Sequence, residues 1–226
     1  MVEIKGFLET SFVDWPGKIC SVIFLPHCNF RCPYCHNHRL VLHPEQLASV
    51  PLGDILARLS GLKDWIDGIC VTGGEPTQQP RLPLLIRKIK EHGFRVKLDT
   101  NGSNPQMLER LMESGAVDFV SMDVKAPLDP FSYRRAVGRV VDLSLLLSSI
   151  ELLKKGKVEH EFRMTVVPGV HTEEDILLLG RQLRAGRRVS LQNFNPENPL
   201  DPHLKKTHPF DPGLLKGLES EIQAMM

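Results

Sequence analysis

The run Ile19-Cys20-Ser21-Val22-Ile23-Phe24-Leu25, followed almost at once by Cys28-Asn29-Phe30-Arg31-Cys32-Pro33-Tyr34-Cys35, decides the fold. The first part is short, apolar and partly β-branched, the pattern of a strand buried on both faces. The second places three thiols within eight residues, at C-x3-C-x2-C spacing. A loop dense in ligands at the C-terminal end of a buried strand is where α/β sheets hold what they act on. Thiolates this crowded suit one soft metal centre. A closed structural site normally has four protein ligands, whereas a reacting site keeps a position open. A cubane cluster usually takes four cysteines, so three would leave one iron free for a small molecule. A structural zinc site with His36 or His38 as fourth ligand is the competing reading of the same spacing.

Outward from this stretch, strand and helix patterns alternate. Upstream, residues 4–8 suggest a short edge strand, and Asp14-Trp15-Pro16-Gly17 is a turn by its Pro-Gly pair. Downstream, Leu52, Ile55, Leu56 and Leu59 mark one helical face, and Leu82, Leu85, Ile86 and Ile89 mark another. Strands are predicted over 66–72, 94–98, 117–122, 158–167 and 189–194. Pro105 opens a helix after Asn104, with Met107, Leu108, Leu111 and Met112 on its inner face. A helix over 143–155 follows, then one opened by the capping signature Thr172-Glu173-Glu174-Asp175. Residues 211–226 suggest a last helix. Alternation of this kind means an α/β fold with a parallel sheet. About six β/α units fall short of the eight that close a full barrel of about 250 residues, so an open, partial TIM-like barrel is expected.

At 226 residues and 42% hydrophobic content, the chain is expected to form a single domain over 1–226. Its core would span about 17–195, with a C-terminal extension over about 196–226. The net charge is +1, with no basic stripe of the kind that binds nucleic acid. No apolar run follows Met1 and none approaches the ~20 residues of a membrane span, so neither a secretory signal nor a membrane partner is expected. Five cysteines, three of them crowded together, argue for metal ligation in a reducing, cytoplasmic setting rather than for a disulfide framework. Cys20 and Cys70 sit in apolar runs and are expected to be core thiols.

The strands are apolar, while their C-terminal ends carry Gly73-Gly74-Glu75-Pro76, Asp99-Thr100-Asn101-Gly102 and Asp123-Val124-Lys125. Polar residues gathered at strand ends are the active-site pattern of a barrel. Two glycines would let a backbone approach a ligand closely, though the pair is equally a turn. Asp99 and Asp123 are acidic groups fit for a hard cation, or, more plainly, helix caps. Lys125 and Arg163 suit a ligand carboxylate, although a salt bridge from Lys125 to Asp123 or Asp99 is the plainer role. An open iron needs a chelating ligand, and an amino-acid moiety supplies an amine for Glu75 and a carboxylate for Lys125 or Arg163.

The cysteine motif, with an aromatic before its last cysteine, resembles the radical S-adenosylmethionine (SAM) superfamily. Gly73-Gly74-Glu75-Pro76 resembles that superfamily's methionine-binding motif. Asp14-x-Pro16-Gly17, Cys35-His36-Asn37, Asp99-Thr100-Asn101-Gly102 and Asp123-x-Lys125 are similar to the glycyl-radical-enzyme activases, above all those of anaerobic ribonucleotide reductase. The resemblance runs from about Gly6 to Asn195. It implies a 4Fe–4S cluster on Cys28, Cys32 and Cys35, with Tyr34 and His36 beside the adenine. Gly73, Gly74 and Glu75 would bind the methionine amine, and Lys125 and Arg163 its carboxylate and ribose side. The Asp99 strand end, with Asn101, would belong to the cofactor site, while Asp99, Thr100 and Asp123, with the Ser121 carbonyl, would match a monovalent-cation site. Asn195 stands where a related activase has a cofactor-touching histidine.

The implied oxidoreductase cleaves SAM reductively to a 5′-deoxyadenosyl radical, which takes hydrogen from a backbone glycine of a partner glycyl radical enzyme. The electron would come from a low-potential donor such as flavodoxin or ferredoxin. The competing functions are a radical SAM enzyme acting on a small molecule, such as a deazapurine precursor, and a non-catalytic iron–sulfur or zinc module.

Overall fold

The computed structural model describes residues 2–184 and 188–225. Among these a seven-stranded sheet carries its strands in chain order: β1 (Gly6–Ser11), β2 (Cys20–Leu25), β3 (Gly68–Gly73), β4 (Arg95–Thr100), β5 (Phe119–Asp123), β6 (Glu159–Val166) and β7 (Val189–Asn193). β1 is antiparallel to β2, whereas β2–β3, β3–β4 and β6–β7 are parallel. Between β2 and β3 come helices α1 (His38–Leu42) and α2 (Leu52–Leu59); α3 (Leu82–Glu91) and α4 (Pro105–Glu113) form the next two crossovers. Then come α5 (Pro130–Val137) and α6 (Leu143–Lys154) before β6, α7 (Glu173–Gln182) before β7, and α8 (Pro212–Ala224) after it. The expected α/β class and alternation are present. Met226, the last residue of the helix predicted over 211–226, lies outside the described residues.

The chain packs as two compact units, one of Met1–Asn29, Arg39–Thr100 and Gln106–Val120, the other of Phe30–His38, Asn101–Pro105 and Ser121–Met226. In the first, β2 is buried at all but one residue, as a strand covered on both faces must be. The predicted apolar stripes are the buried faces of α2 and α3. Trp15 joins Cys20, Val22 and Cys70 in one cluster, and both of those cysteines are fully buried. Burial pushes the Cys20 thiol up to about 12, as expected of an inert core thiol. In the second unit α7 opens with a complete capping box: Asp175 N–H donates to Thr172 Oγ1, and Thr172 N–H donates to Asp175 Oδ2.

Three features differ from the sequence reading. The edge strand is Gly6–Ser11 rather than 4–8, because Ile4 is drawn into the core, its carbonyl held by Val50 N–H at 2.8 Å. Helices α1 and α5 were not anticipated; in α5 Phe131 is exposed, Arg134 and Arg135 lie on the exposed face opposite the buried Ser132, Tyr133, Ala136 and Val137, and Asp129 caps the helix through the Phe131 and Ser132 amides. The strands are not apolar throughout: Lys97 in β4, Ser121 in β5, and His160 and Glu161 in β6 are buried.

Candidate functional site

β2 ends at Leu25, and the chain reaches Cys28 through His27, whose φ of 66° is the only positive value at a non-glycine among the described residues. That conformation is uncommon for a residue with a Cβ and persists only where its surroundings fix it. Here they do. His27 N–H donates to Leu40 O at 3.0 Å, and His27 O accepts from Glu75 N–H at 2.7 Å. Gly74 N–H donates to Leu25 O at 2.8 Å. The end of β3 is thereby stapled to the foot of the cysteine loop.

This staple gives Gly73 and Gly74 a different reason from the one the sequence suggested. A Cβ on Gly74 would stand 1.9 Å from His27 O, and one on Gly73 would stand 2.5 Å from Leu25 N and O. The close approach these glycines permit is of one backbone to another. Glu75 is buried at 1% exposure, its Oε1 accepting from Thr77 N–H (3.1 Å), Thr77 Oγ1 (2.6 Å) and Thr100 Oγ1 (2.7 Å). A carboxylate held this firmly is pre-aimed rather than free to swing.

Cys28, in the first unit, is half-buried; in the second, Cys32 is buried and Cys35 half-buried, and none is in a disulfide. Cys35 N–H donates to Cys32 O at 3.0 Å, closing the C-x2-C turn. Burial pushes the Cys32 thiol up to about 11, against the pull of the Lys125 charge. Cys35 is raised too, by burial, opposed by a backbone hydrogen bond from Asn37 and by Lys125. Tyr34 is buried, and its hydroxyl finds no partner among the described residues. A buried, orphaned hydroxyl beside the thiols is what a polar ligand would satisfy. Among the described residues no three of His, Cys, Asp and Glu converge as a shell for a single ion. A 4Fe–4S cluster places its thiolates on different irons, so its cysteines do not need to meet at one point. The donor set and the orphaned hydroxyl fit such a cluster with a bound organic ligand.

The far half of the loop is strapped by a segment distant in sequence. Asn195 O lies 2.6 Å from His36 Nε2, which must therefore carry the proton; Asn198 Oδ1 lies 3.4 Å from His38 Nε2; and Asp201 N–H donates to Pro33 O at 2.7 Å. Phe194 stacks on His36. Asn195 thus serves His36 through its main chain, a contact the sequence did not foretell.

At the end of β5, Asp123 accepts from Lys125 Nζ at 2.9 Å and Arg163 Nε at 3.0 Å. Burial would raise its pKa, but Arg163 and Lys125 outweigh burial and hold the carboxyl well below the usual range. Lys125 in turn is pushed upward, Asp123 and Cys32 outweighing burial. Its main chain is pinned from both sides. Lys125 N–H donates to Tyr133 Oη at 3.2 Å, and Lys125 O lies 2.8 Å from His171 Nε2. Val167 N–H donates to His171 Nδ1 at 3.0 Å, which leaves the ring proton on Nε2 to donate to Lys125 O. Burial lowers the His171 pKa to about 4, so the ring is neutral at physiological pH. Tyr34 lies edge-on to it, centroids 6.0 Å apart. Tyr133, His171 and Thr77 were not anticipated as site residues.

The remaining strand-end residues are also engaged. Asp99 pairs with the buried ammonium of Lys97, Asn101 Oδ1 accepts from Ser103 N–H at 3.0 Å, and Ser121 Oγ donates to Glu161 Oε1 at 2.7 Å.

Comparison with known proteins agrees with this arrangement. The family model described as the radical SAM superfamily matches residues 22–179. A protein of Methanocaldococcus jannaschii, provisionally named a glycyl-radical enzyme activating enzyme, is 36% identical over 207 residues, covering 90% of this chain and 84% of its own. The pyruvate formate-lyase-activating enzyme of Streptococcus mutans is 32% identical over 188 residues, 78% of this chain and 70% of that one. Streptococcus suis SuiB, solved bound to S-adenosylmethionine, superposes with a TM-score of 0.62 at 16% identity over 90% of this chain, which spans 45% of that longer one; the likeness is one of fold. The chain belongs to the radical SAM superfamily and, within it, to the glycyl-radical enzyme activating enzymes. It is therefore an oxidoreductase whose family works with a 4Fe–4S cluster and SAM, on an α/β fold of the partial-barrel kind.

Proposed function

We propose that this protein installs a radical on a backbone glycine of a partner glycyl radical enzyme, of the anaerobic ribonucleotide reductase or pyruvate formate-lyase type. The observation that carries the reading is the staple between His27 and Glu75. It holds Cys28, the residue after His27, and a buried carboxylate to one rigid strand end. A ligand with an amine and a carboxylate on one carbon, chelating an open iron, needs such a pairing.

In this reading Cys28, Cys32 and Cys35 hold the cluster, and Glu75 accepts from the methionine amine beside the Gly73 and Gly74 backbone. Lys125 and Arg163 meet the carboxylate and ribose side, Asp99 and Asn101 shape the neighbouring strand end, and Tyr34 and His36 border the adenine. Bound together and reduced by a flavodoxin- or ferredoxin-like donor, cluster and SAM supply one-electron cleavage of the sulfonium–C5′ bond and a hydrogen-abstracting 5′-deoxyadenosyl radical. The protein's own work is to orient the cofactor and exclude other hydrogen donors. Such chemistry belongs in a reducing, oxygen-poor cytoplasm.

The test is to incubate the anaerobically reconstituted protein, SAM and a reductant with a glycyl radical enzyme deuterated at glycine. Deuterium in 5′-deoxyadenosine and a glycyl radical signal by electron paramagnetic resonance are expected. Cleavage of SAM without deuterium transfer from any such partner would favour a small-molecule substrate instead.

A further inference from the structure

We infer that Lys97 is the resident cation of the Asp99 carboxylate, so that no monovalent metal ion is needed there. Three of the side chains expected to form a cation site are engaged. Asp99 pairs with Lys97 Nζ, Asp123 is held between Lys125 and Arg163, and the Thr100 hydroxyl donates to Glu75. Lys97 already neutralises the single charge of Asp99 from a fully buried position, so a metal ion there would add net positive charge to the interior.

Lys97 is placed for this role by strand geometry. It lies two residues before Asp99 on β4, and period-2 alternation puts both side chains on the same face. It is fully buried, between the buried apolar residues Val96 and Leu98 in sequence and opposite Cys70 in the register with β3, its Nζ 3.8 Å from Cys70 Sγ. A buried ammonium is costly unless a carboxylate meets it, and a strand interior would otherwise take an aliphatic residue. The two charges are complementary parts: remove the lysine and a buried carboxylate is left that a small cation could serve. This inference concerns the charge balance of the first unit and holds whichever substrate the enzyme acts on.

The experiment compares melting of the anaerobically reconstituted protein in equal concentrations of sodium, potassium and tetramethylammonium chloride, with sodium-23 line broadening as a direct readout of ion binding. The wild type is expected to melt at one temperature in all three salts and to leave the sodium line unbroadened. Lys97→Met is expected to melt lower in tetramethylammonium, to recover by several degrees in sodium or potassium, and to broaden the sodium line. Lys97→Met/Asp99→Asn should lose both responses. A wild type that is stabilised by sodium or potassium over tetramethylammonium, or that broadens the sodium line, overturns the inference, and so does a folded Lys97→Met indifferent to the cation. Should Lys97→Met not fold, the wild-type salt series decides alone.

Discussion

Lys125 serves Asp123 in the structure and is proposed to serve a ligand carboxylate as well, and the two roles predict different losses. Lys125→Ala should lower melting somewhat in the absence of cofactor, since Arg163 still meets Asp123. It should also remove most of the additional stabilisation that SAM confers by mass action. A charge-assisted contact of this kind is worth about 1.5–3 kcal/mol, or one to two decades in SAM affinity at ~1.4 kcal/mol per decade. Melting of the reconstituted variant with and without SAM checks it, and an equal SAM-induced shift in variant and wild type would rule out the ligand role. His171 gives a second prediction, in pH. Its pKa falls from 6.5 to about 4 on folding, so the unfolded chain takes up the proton first. The stability tied to neutral His171 is complete above about pH 6.5 and is lost as pH falls toward 4. His171→Gln, which keeps a donor for Lys125 O, should show a shallower decline over that window in denaturant titrations at stepped pH.

At the scale of elements, the cysteine loop and the end of β3 act as one piece. Gly74→Val would drive a side chain into the His27 carbonyl, 1.9 Å from where its Cβ must go. The cost should reach or exceed the upper end of the usual ~1–3 kcal/mol for overpacking. Displacement of His27 should disturb Cys28, so iron content should fall along with SAM affinity. A variant with full iron content and unchanged SAM affinity by calorimetry would show that the staple is not needed. By contrast, Cys20→Ala and Cys70→Ala should retain the cluster at a modest stability loss, since both thiols are core packing. Cys28→Ala, Cys32→Ala and Cys35→Ala should each abolish it, read by iron content and the absorbance of the reconstituted protein.

Over the whole molecule, what was legible in the sequence was what repeats with a period or sits at fixed spacing. The faces of α2 and α3 followed from apolar residues three and four apart, and the strand ends from glycine and carboxylates closing apolar runs. The thiol spacing was visible because its chemistry is local. What was hidden depends on residues brought together from afar. No pattern joins His171 to Lys125 across 46 residues, or Thr100 to Glu75 across 25. Helix α5 was hidden because Phe131 faces water and blurs its stripe. Lys97 drew no reading within a strand taken as apolar, and its meaning appeared only with Asp99 beside it.

The strap over the far half of the cysteine loop bears on how the protein is made. His36 leaves the ribosome 159 residues before Asn195, the partner that holds it, and Pro33 likewise waits for Asp201. Through most of translation Cys32 and Cys35 therefore sit on a loop that lacks this strap. Iron–sulfur loading that relies on this strap consequently waits until Asn195 and Asp201 have been made, and an oxidant reaching the nascent polypeptide before then would find these thiols less protected.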